Sequence, residues 1–200
     1  MSTSAETYHH GALREALIEA GLAALEQGDV AGDISLRALA RSVGVSPTVV
    51  YRHFPDKRAL LAALAAEGLN RLGEAQARAA KEAGGGAAGF SASGRTYVRF
   101  ALAHPALFRL MFSQGNPEDF GNHSEDQAWL LLMEMSLALA GDPVEAERLA
   151  MQAWAIAHGI AMLMLDGRFP ADESLIDRLL DAEVLFVRRP SQGSNRLESP

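Results

Sequence analysis

"SLRALARSVGVSPTVVYRHFPDKRALL", Ser35 to Leu61, packs the signals of three helices into one short segment. Ser35 is a good N-cap and Leu36, Leu39 and Ala40 follow at helical spacing. Gly44 ends that helix early. Ser46 opens a second, with Pro47 at the first helical position, where its missing N–H costs nothing. Pro55 stops it, and Asp56 caps a long alanine-rich helix expected to reach about Lys81. Two short helices joined by a glycine-containing turn make a helix-turn-helix, whose second helix can lie in the major groove of DNA. Leu36, Leu39, Ala40, Val43, Val45, Val50 and Phe54 then point inward. Ser46, Pro47, Thr48, Val49, Tyr51, Arg52 and His53 are left on the outside.

That outer set suits a nucleic acid. Thr48 and Val49 can touch thymine methyls or base edges, Tyr51, His53 and Lys57 can donate to phosphate oxygens, and Arg37 reaches a phosphate or a guanine. From Ile34 to Leu60 the charges are Arg37, Arg41, Arg52, Lys57 and Arg58 against Asp56 alone, net +4 in a chain of net charge −7. Local charge, more than the total, attracts a phosphate backbone. The alternative is an ordinary helix pair with a solvated polar face.

Outside this segment the pattern is helical throughout, with no strand alternation and no internal repeat. Leu13, Leu17, Ala20, Gly21, Ala24 and Leu25 predict a first helix over about 9–27. "GGGAAGFSASG", 84–94, reads as a linker or mobile loop. Helices follow over Thr96 to His104, through Phe112, over Ala128 to Ala140, from Asp142-Pro143 to near Gly167, and from Asp172 to about Val187. "SQGNPEDFGNHS" reads as a loop and residues 189–200 as a disordered tail. The expected organisation is all-α: a three-helix DNA-binding domain over 1–55, joined by a long helix to a helical ligand-binding and dimerisation domain over 56–188.

Composition narrows the function. Without cysteine there is no disulfide and no thiolate metal site. The first residues do not read as a signal peptide, and the most apolar run, Ala153 to Leu165, is short of a membrane span and interrupted by His158. A cytoplasmic chain without membrane partners is expected. His158 and Asp166 share one helix, but no nucleophile motif, phosphate-cradling loop or metal spacing organises the polar residues. Neither enzyme chemistry, a cofactor nor a metal is expected.

The segment from Ser35 resembles the DNA-binding motif of the tetracycline-repressor (TetR/AcrR) family, through Ala40, Gly44, Val45, Ser46, Tyr51, His53, Phe54, Lys57, Leu60 and Leu61. With the first helix the match covers about residues 8–62. The resemblance implies phosphate contacts by Tyr51, His53 and Lys57, and places Ser46, Pro47, Thr48 and Val49 nearest the bases. Thr48-Val49 stands where many relatives carry smaller residues. "YHHGALREALI", from Tyr8, resembles the start of one subgroup, and His9, His10 and Arg14 can approach phosphate. Neighbouring histidines on a helix diverge by about 100°, so a metal site is the weaker reading.

"WAIAHGIAML", from Trp154, resembles the Trp-x-x-x-His-Gly signature of the family's WHG-type C-terminal domain, and "YVRFALAHPALFRLMF", from Tyr97, its matching upstream segment. The resemblance implies a homodimer joined through its last two helices, and a ligand-released repressor binding an inverted-repeat operator. On the long helix, Ala146, Ala150, Ala153, Ala157 and Ala161 form a small-residue stripe fit for a partner helix, and Ile176, Leu180 and Val184 extend that expected interface. Tyr97, Phe100, His104, Phe108, Met111, Trp154, His158 and Met162 are the candidate lining of a small-molecule pocket. An aromatic and methionine stripe is also ordinary core material, and both roles stay open. The rival reading is a helical interaction protein or ligand carrier without specific DNA binding.

Overall fold

In the computed structural model the described residues are 4–28, 33–113 and 127–185, and they contain helices and turns but no strand. The first helix, α1, spans Ser4–Glu26, followed by α2 (Leu36–Val43), α3 (Pro47–His53) and α4 (Lys57–Glu82). Beyond these lie α5 (Gly86–Ala103), α6 (Pro105–Ser113), α7 (Gln127–Ala140), α8 (Pro143–Leu165), α9 (Glu173–Leu179) and α10 (Ala182–Leu185). The all-α expectation holds. The expected loop from Ser113 to Ser124, apart from Ser113, and the tail over 189–200 lie outside the described residues, as do the side chains of His9, His10 and Val184.

Side-chain caps fix the starts of the longer helices. Asp56 Oδ1 accepts from Ala59 N at 2.7 Å, and Asp142 Oδ1 accepts from Val144 N and Glu145 N at 3.0 Å. Ser35 and Ser46 do stand at the N-caps of α2 and α3, but neither hydroxyl bonds its own helix. Gly44 closes α2 in the left-handed region, at φ 76°, where only glycine is unstrained.

One apolar core runs through the molecule. Leu17 of α1, Phe54 after α3, Leu60, Leu64 and Leu72 of α4, Phe108 of α6 and Ile176 of α9 are all fully buried members of it. Helices α1 to α3 are therefore packed onto the rest of the chain. Gly21 of α1 is where they meet most closely, since a Cβ there would lie 2.8 Å from Leu64 Cδ2. The carboxylate of Glu19 also pairs with Arg71 of α4.

Three expectations are corrected. The glycine-rich stretch over 84–94 is no linker. Gly84 and Gly85, at φ 86° and 74°, turn the chain tightly between α4 and α5, and α5 starts at Gly86. Its small residues serve packing. A Cβ on Gly89 would sit 2.9 Å from the Ala80 carbonyl oxygen, so glycine lets the two helix backbones touch. Gln76 Nε2 donates to Ser93 Oγ at 3.0 Å, and Ser91 Oγ accepts from Ala182 N at 2.9 Å. A run of glycine, alanine and serine has this composition whether it is mobile or closely packed.

The last helix is broken. α9 ends at Leu179, and α10 begins only after Leu180 and Asp181. Arg99 binds Glu173 at 2.7 Å and Arg95 binds Asp177 at 3.2 Å, lashing α9 to α5.

The alanine stripe of α8 faces inward. Ala146, Ala150, Ala157 and Ala161 are buried within the protomer, as are Ile176 and Leu180, and Ala153 is half-buried. Alanines let α8 lie close against α5 and α7 in its own chain, and of the stripe only Ala153 keeps part of its surface open.

Candidate nucleic-acid interface and effector site

Helix α3 is held by its inner face. Val50 and Phe54 are fully buried, with Leu36, Leu39 and Ala40 of α2 beside them and Val43 and Val45 packed at the margin. The opposite side is open: Ser46, Pro47, Thr48, Tyr51 and Arg52 are exposed, and Val49 and His53 half-buried. Arg37 is exposed on α2, and Lys57 is half-buried at the start of α4. The guanidinium of Arg14 lies over the Phe54 ring, 5.4 Å from its centroid, which brings a first-helix cation to the end of α3.

Arg37, Arg41, Arg52 and Arg58 form no ion pair among the described residues, whereas Arg71, Arg95, Arg99, Arg109 and Arg148 all hold a carboxylate. Cations around α3 thus keep their field for a ligand, whereas five arginines of the body are neutralised locally; Arg78, Arg168 and Arg178 also form no ion pair among the described residues. Within the segment from Ile34 to Leu60 an anion that replaces water meets no carboxylate other than Asp56.

Four of the eight predicted pocket residues come together. Trp154 Nε1 donates to Tyr97 Oη at 3.2 Å, and Tyr97 Oη lies 2.9 Å from His158 Nδ1. Phe108 stacks on the His158 ring, with centroids 5.6 Å apart and planes at 28°. Two further rings belong to the cluster and went unpredicted. Phe112 meets the His158 ring edge-on at 4.8 Å, and Trp129 of α7 meets Trp154 at 6.0 Å. The spacing from Phe108 to Phe112 is one helical turn and was the available signal for the first. No local pattern marks Trp129. Tyr97 and Phe108 are buried, while Phe112, Trp129, Trp154 and His158 keep part of their surface open. Burial lowers the pKa of His158, so its ring is neutral at neutral pH.

The other four lie elsewhere. Met111 packs where α6 crosses α4, and a Cβ on Gly68 would meet its sulfur at 2.8 Å. Phe100 and His104 contact each other, and His104 Nδ1 stands 3.3 Å from Glu26 Oε1 at the end of α1. Met162 is half-buried at the core margin. No group of three or more metal-ligating side chains occurs among the described residues.

A profile described as "Bacterial regulatory proteins, tetR family" matches residues 12–64, and one described as "Tetracyclin repressor-like, C-terminal domain" matches 90–187. An uncharacterized HTH-type transcriptional regulator of Bacillus subtilis, YobS, is 26% identical over 172 residues, covering 84% of this chain and 87% of that protein. A solved protein of unknown function from Rhodococcus sp. RHA1 is 38% identical, covers 88% of this chain and 93% of its own, and superposes with a TM-score of 0.69. The structure of AlkX, a TetR family repressor of a Dietzia strain implicated in n-alkane biodegradation, is 17% identical. It covers 87% of this chain and 94% of its own with a TM-score of 0.56, a likeness of fold.

Proposed function

Because this chain belongs to the tetracycline-repressor family of bacterial transcriptional regulators, we propose that it is a repressor that binds an inverted-repeat operator as a homodimer. A small molecule at the aromatic cluster then releases it. The observation that carries the DNA reading is the open face of α3, flanked by Arg37, Arg41, Arg52 and Arg58, which hold no carboxylate among the described residues. Tyr51, His53 and Lys57 contact phosphate, and Ser46, Pro47, Thr48 and Val49 meet the bases, with Arg37 and Arg52 at the margins. The head over 1–55 reads and the body over 56–188 senses. Such a protein works beside the chromosome, in the cytoplasm.

The dimer face lies on the outer side of α7 and α8. Leu130, Leu137, Val144, Met151 and Leu163 are large apolar side chains left exposed there. Gly159 lies on the same helix, and a Cβ on it would meet nothing within 4 Å, which leaves room for a close helix approach. Two copies joined this way carry two α3 helices to half-sites a helical turn or more apart, about 34–36 Å per turn.

Release follows from the chain of contacts. Phe108 and Phe112 sit on α6, whose other side bears on α4 at Gly68, and His104, the residue just before α6, meets Glu26 of α1. A ligand that shifts α6 moves the supports of the head and changes the spacing of the two α3 helices. It acts only so far as it binds the two spacings unequally. A titration of inverted-repeat DNA at two salt concentrations tests the binding claim. Two chains per duplex and a steep fall of affinity with salt are expected; one chain per duplex, or binding indifferent to salt, contradicts it.

A further inference from the structure

The hydrogen bonds in the aromatic cluster have a direction. An indole N–H can only donate, so Tyr97 Oη accepts from Trp154. Oη is also 2.9 Å from His158 Nδ1, and a neutral imidazole offers one nitrogen as acceptor and the other as donor. A relay running from Trp154 N–H to Tyr97 Oη, and from Tyr97 O–H to His158 Nδ1, uses each proton in turn. It puts the imidazole proton on Nε2. Among the described residues the Nδ1 contact is the only hydrogen bond of His158, and the ring is flanked by Phe108 and Phe112.

We propose that His158, held as its Nε2–H tautomer by Tyr97, is the specificity-determining donor of the effector site, selecting uncharged ring compounds that carry a hydrogen-bond acceptor, such as aryl ketones. The inference rests on the reading of this cluster as the effector site. The flat body of the ligand packs against the open parts of Phe112, Trp129 and Trp154, where ring contacts are made edge-on or offset. Its acceptor takes the Nε2–H. Charge is selected against because Tyr97, Phe108, Phe112, Trp129, Trp154 and neutral His158 supply no countercharge. A carboxylate entering this surface would lose hydration without an ion to replace it. A quaternary ammonium would find ring faces, but would also meet an N–H aimed at it. An analogue without the acceptor leaves the half-buried donor unsatisfied, which is the arrangement that discriminates most strongly between isosteres.

Two measurements on the full chain test this. Long-range nitrogen–proton NMR of histidine-labelled protein at neutral pH reads the tautomer directly. Nε2–H is expected for His158 in the wild type, with that preference weakened in Tyr97→Phe. An Nδ1–H ring in the wild type overturns the proposal. Calorimetric titration with acetophenone, ethylbenzene, benzoate and benzyltrimethylammonium reads the selectivity. Acetophenone is expected to bind about tenfold or more tighter than ethylbenzene, the effect of one hydrogen bond. His158→Phe, which keeps a ring in place, should bring that ratio near one. Ethylbenzene equal to acetophenone in the wild type, a retained preference in His158→Phe, or no binding by any of the four overturns it. The wild-type arms decide even if the variants fold poorly. Operator affinity measured alongside separates the two readings. An acetophenone preference with DNA binding unchanged refutes the release mechanism and leaves the donor standing. Release by acetophenone and ethylbenzene alike does the reverse.

Discussion

The reading head and the helical body use the same residue types in opposite ways. Among the described residues Arg37, Arg41, Arg52 and Arg58 around α3 form no ion pair, and Ser35 and Ser46 make no side-chain cap bond. In the body Arg71, Arg95, Arg99, Arg109 and Arg148 are paired, and Ser91 and Ser93 bond a backbone amide and a glutamine. Glycine serves both regions in both ways: Gly44, Gly84 and Gly85 supply left-handed turns, and Gly21 and Gly89 supply close contact. Polar groups that the fold itself does not satisfy are held for something outside the chain. Their location therefore separates a surface that recognises from one that only packs.

The contrast breaks first at the core that both regions share. Phe54→Ala, at the junction, should cost about 3–5 kcal/mol, a large share of a domain's net stability. Thermal unfolding should show a single transition that moves as a whole; two transitions, with only the earlier one shifted, would mean that head and body fold separately. The glycines of α5 sharpen the packing side. Gly89→Ala should destabilise by about 1–3 kcal/mol, because the atom it meets is backbone and cannot step aside. Gly94→Ala should instead stabilise by up to about 1 kcal/mol, since its nearest neighbour is Leu180 Cδ2 at 3.6 Å and alanine favours a helix. Denaturant midpoints of the pair would expose equal behaviour, which a flexible linker would give.

On the recognising side, Tyr51→Ala and Lys57→Ala should each weaken binding to every DNA sequence by about 1–3 kcal/mol. Thr48→Ala and Val49→Ala should change preference between sequences, and Arg148→Ala on the body should leave DNA binding unaltered. Anisotropy titrations across several duplexes would detect a body arginine that matters as much as a head residue. The smallest effect concerns pH. Since burial lowers the His158 pKa below its ordinary value near 6.5, the unfolded chain takes up a proton first as pH falls. This contribution to stability is fully present above about pH 6.5 and is lost as pH drops toward the folded value. His158→Phe should flatten that part of the profile, and melting curves between pH 7.5 and 5 would show whether it does.

How far the sequence could be read follows the same division. The helices of the head were legible because their limits are set locally, by Ser35, Gly44, Ser46, Pro47, Pro55 and Asp56, and because the inward residues are simply the apolar ones. The body offers weaker punctuation. The alanine stripe of α8 suits a partner helix from another copy or from the same chain equally well, and only the packing of α5 and α7 around Ala150, Ala157 and Ala161 decides between them. The same ambiguity hid α5 in a glycine-rich stretch, because small residues carry no sign of what approaches them. Four of the six rings of the aromatic site were legible from helical spacing on α5, α6 and α8. Phe100, His104 and Met111 were drawn in by that spacing, although they face α1 and α4, and Trp129 arrives from a helix with no marking of its own.

The central claim is that the open face of α3 reads DNA. Selection of bound fragments from the genome of the source organism, at two salt concentrations and with Lys57→Ala in parallel, tests it most directly. Recovery of one inverted-repeat sequence, weakened by salt and lost in the variant, is the predicted result. Fragments recovered equally by wild type and variant, with no shared sequence, would contradict it.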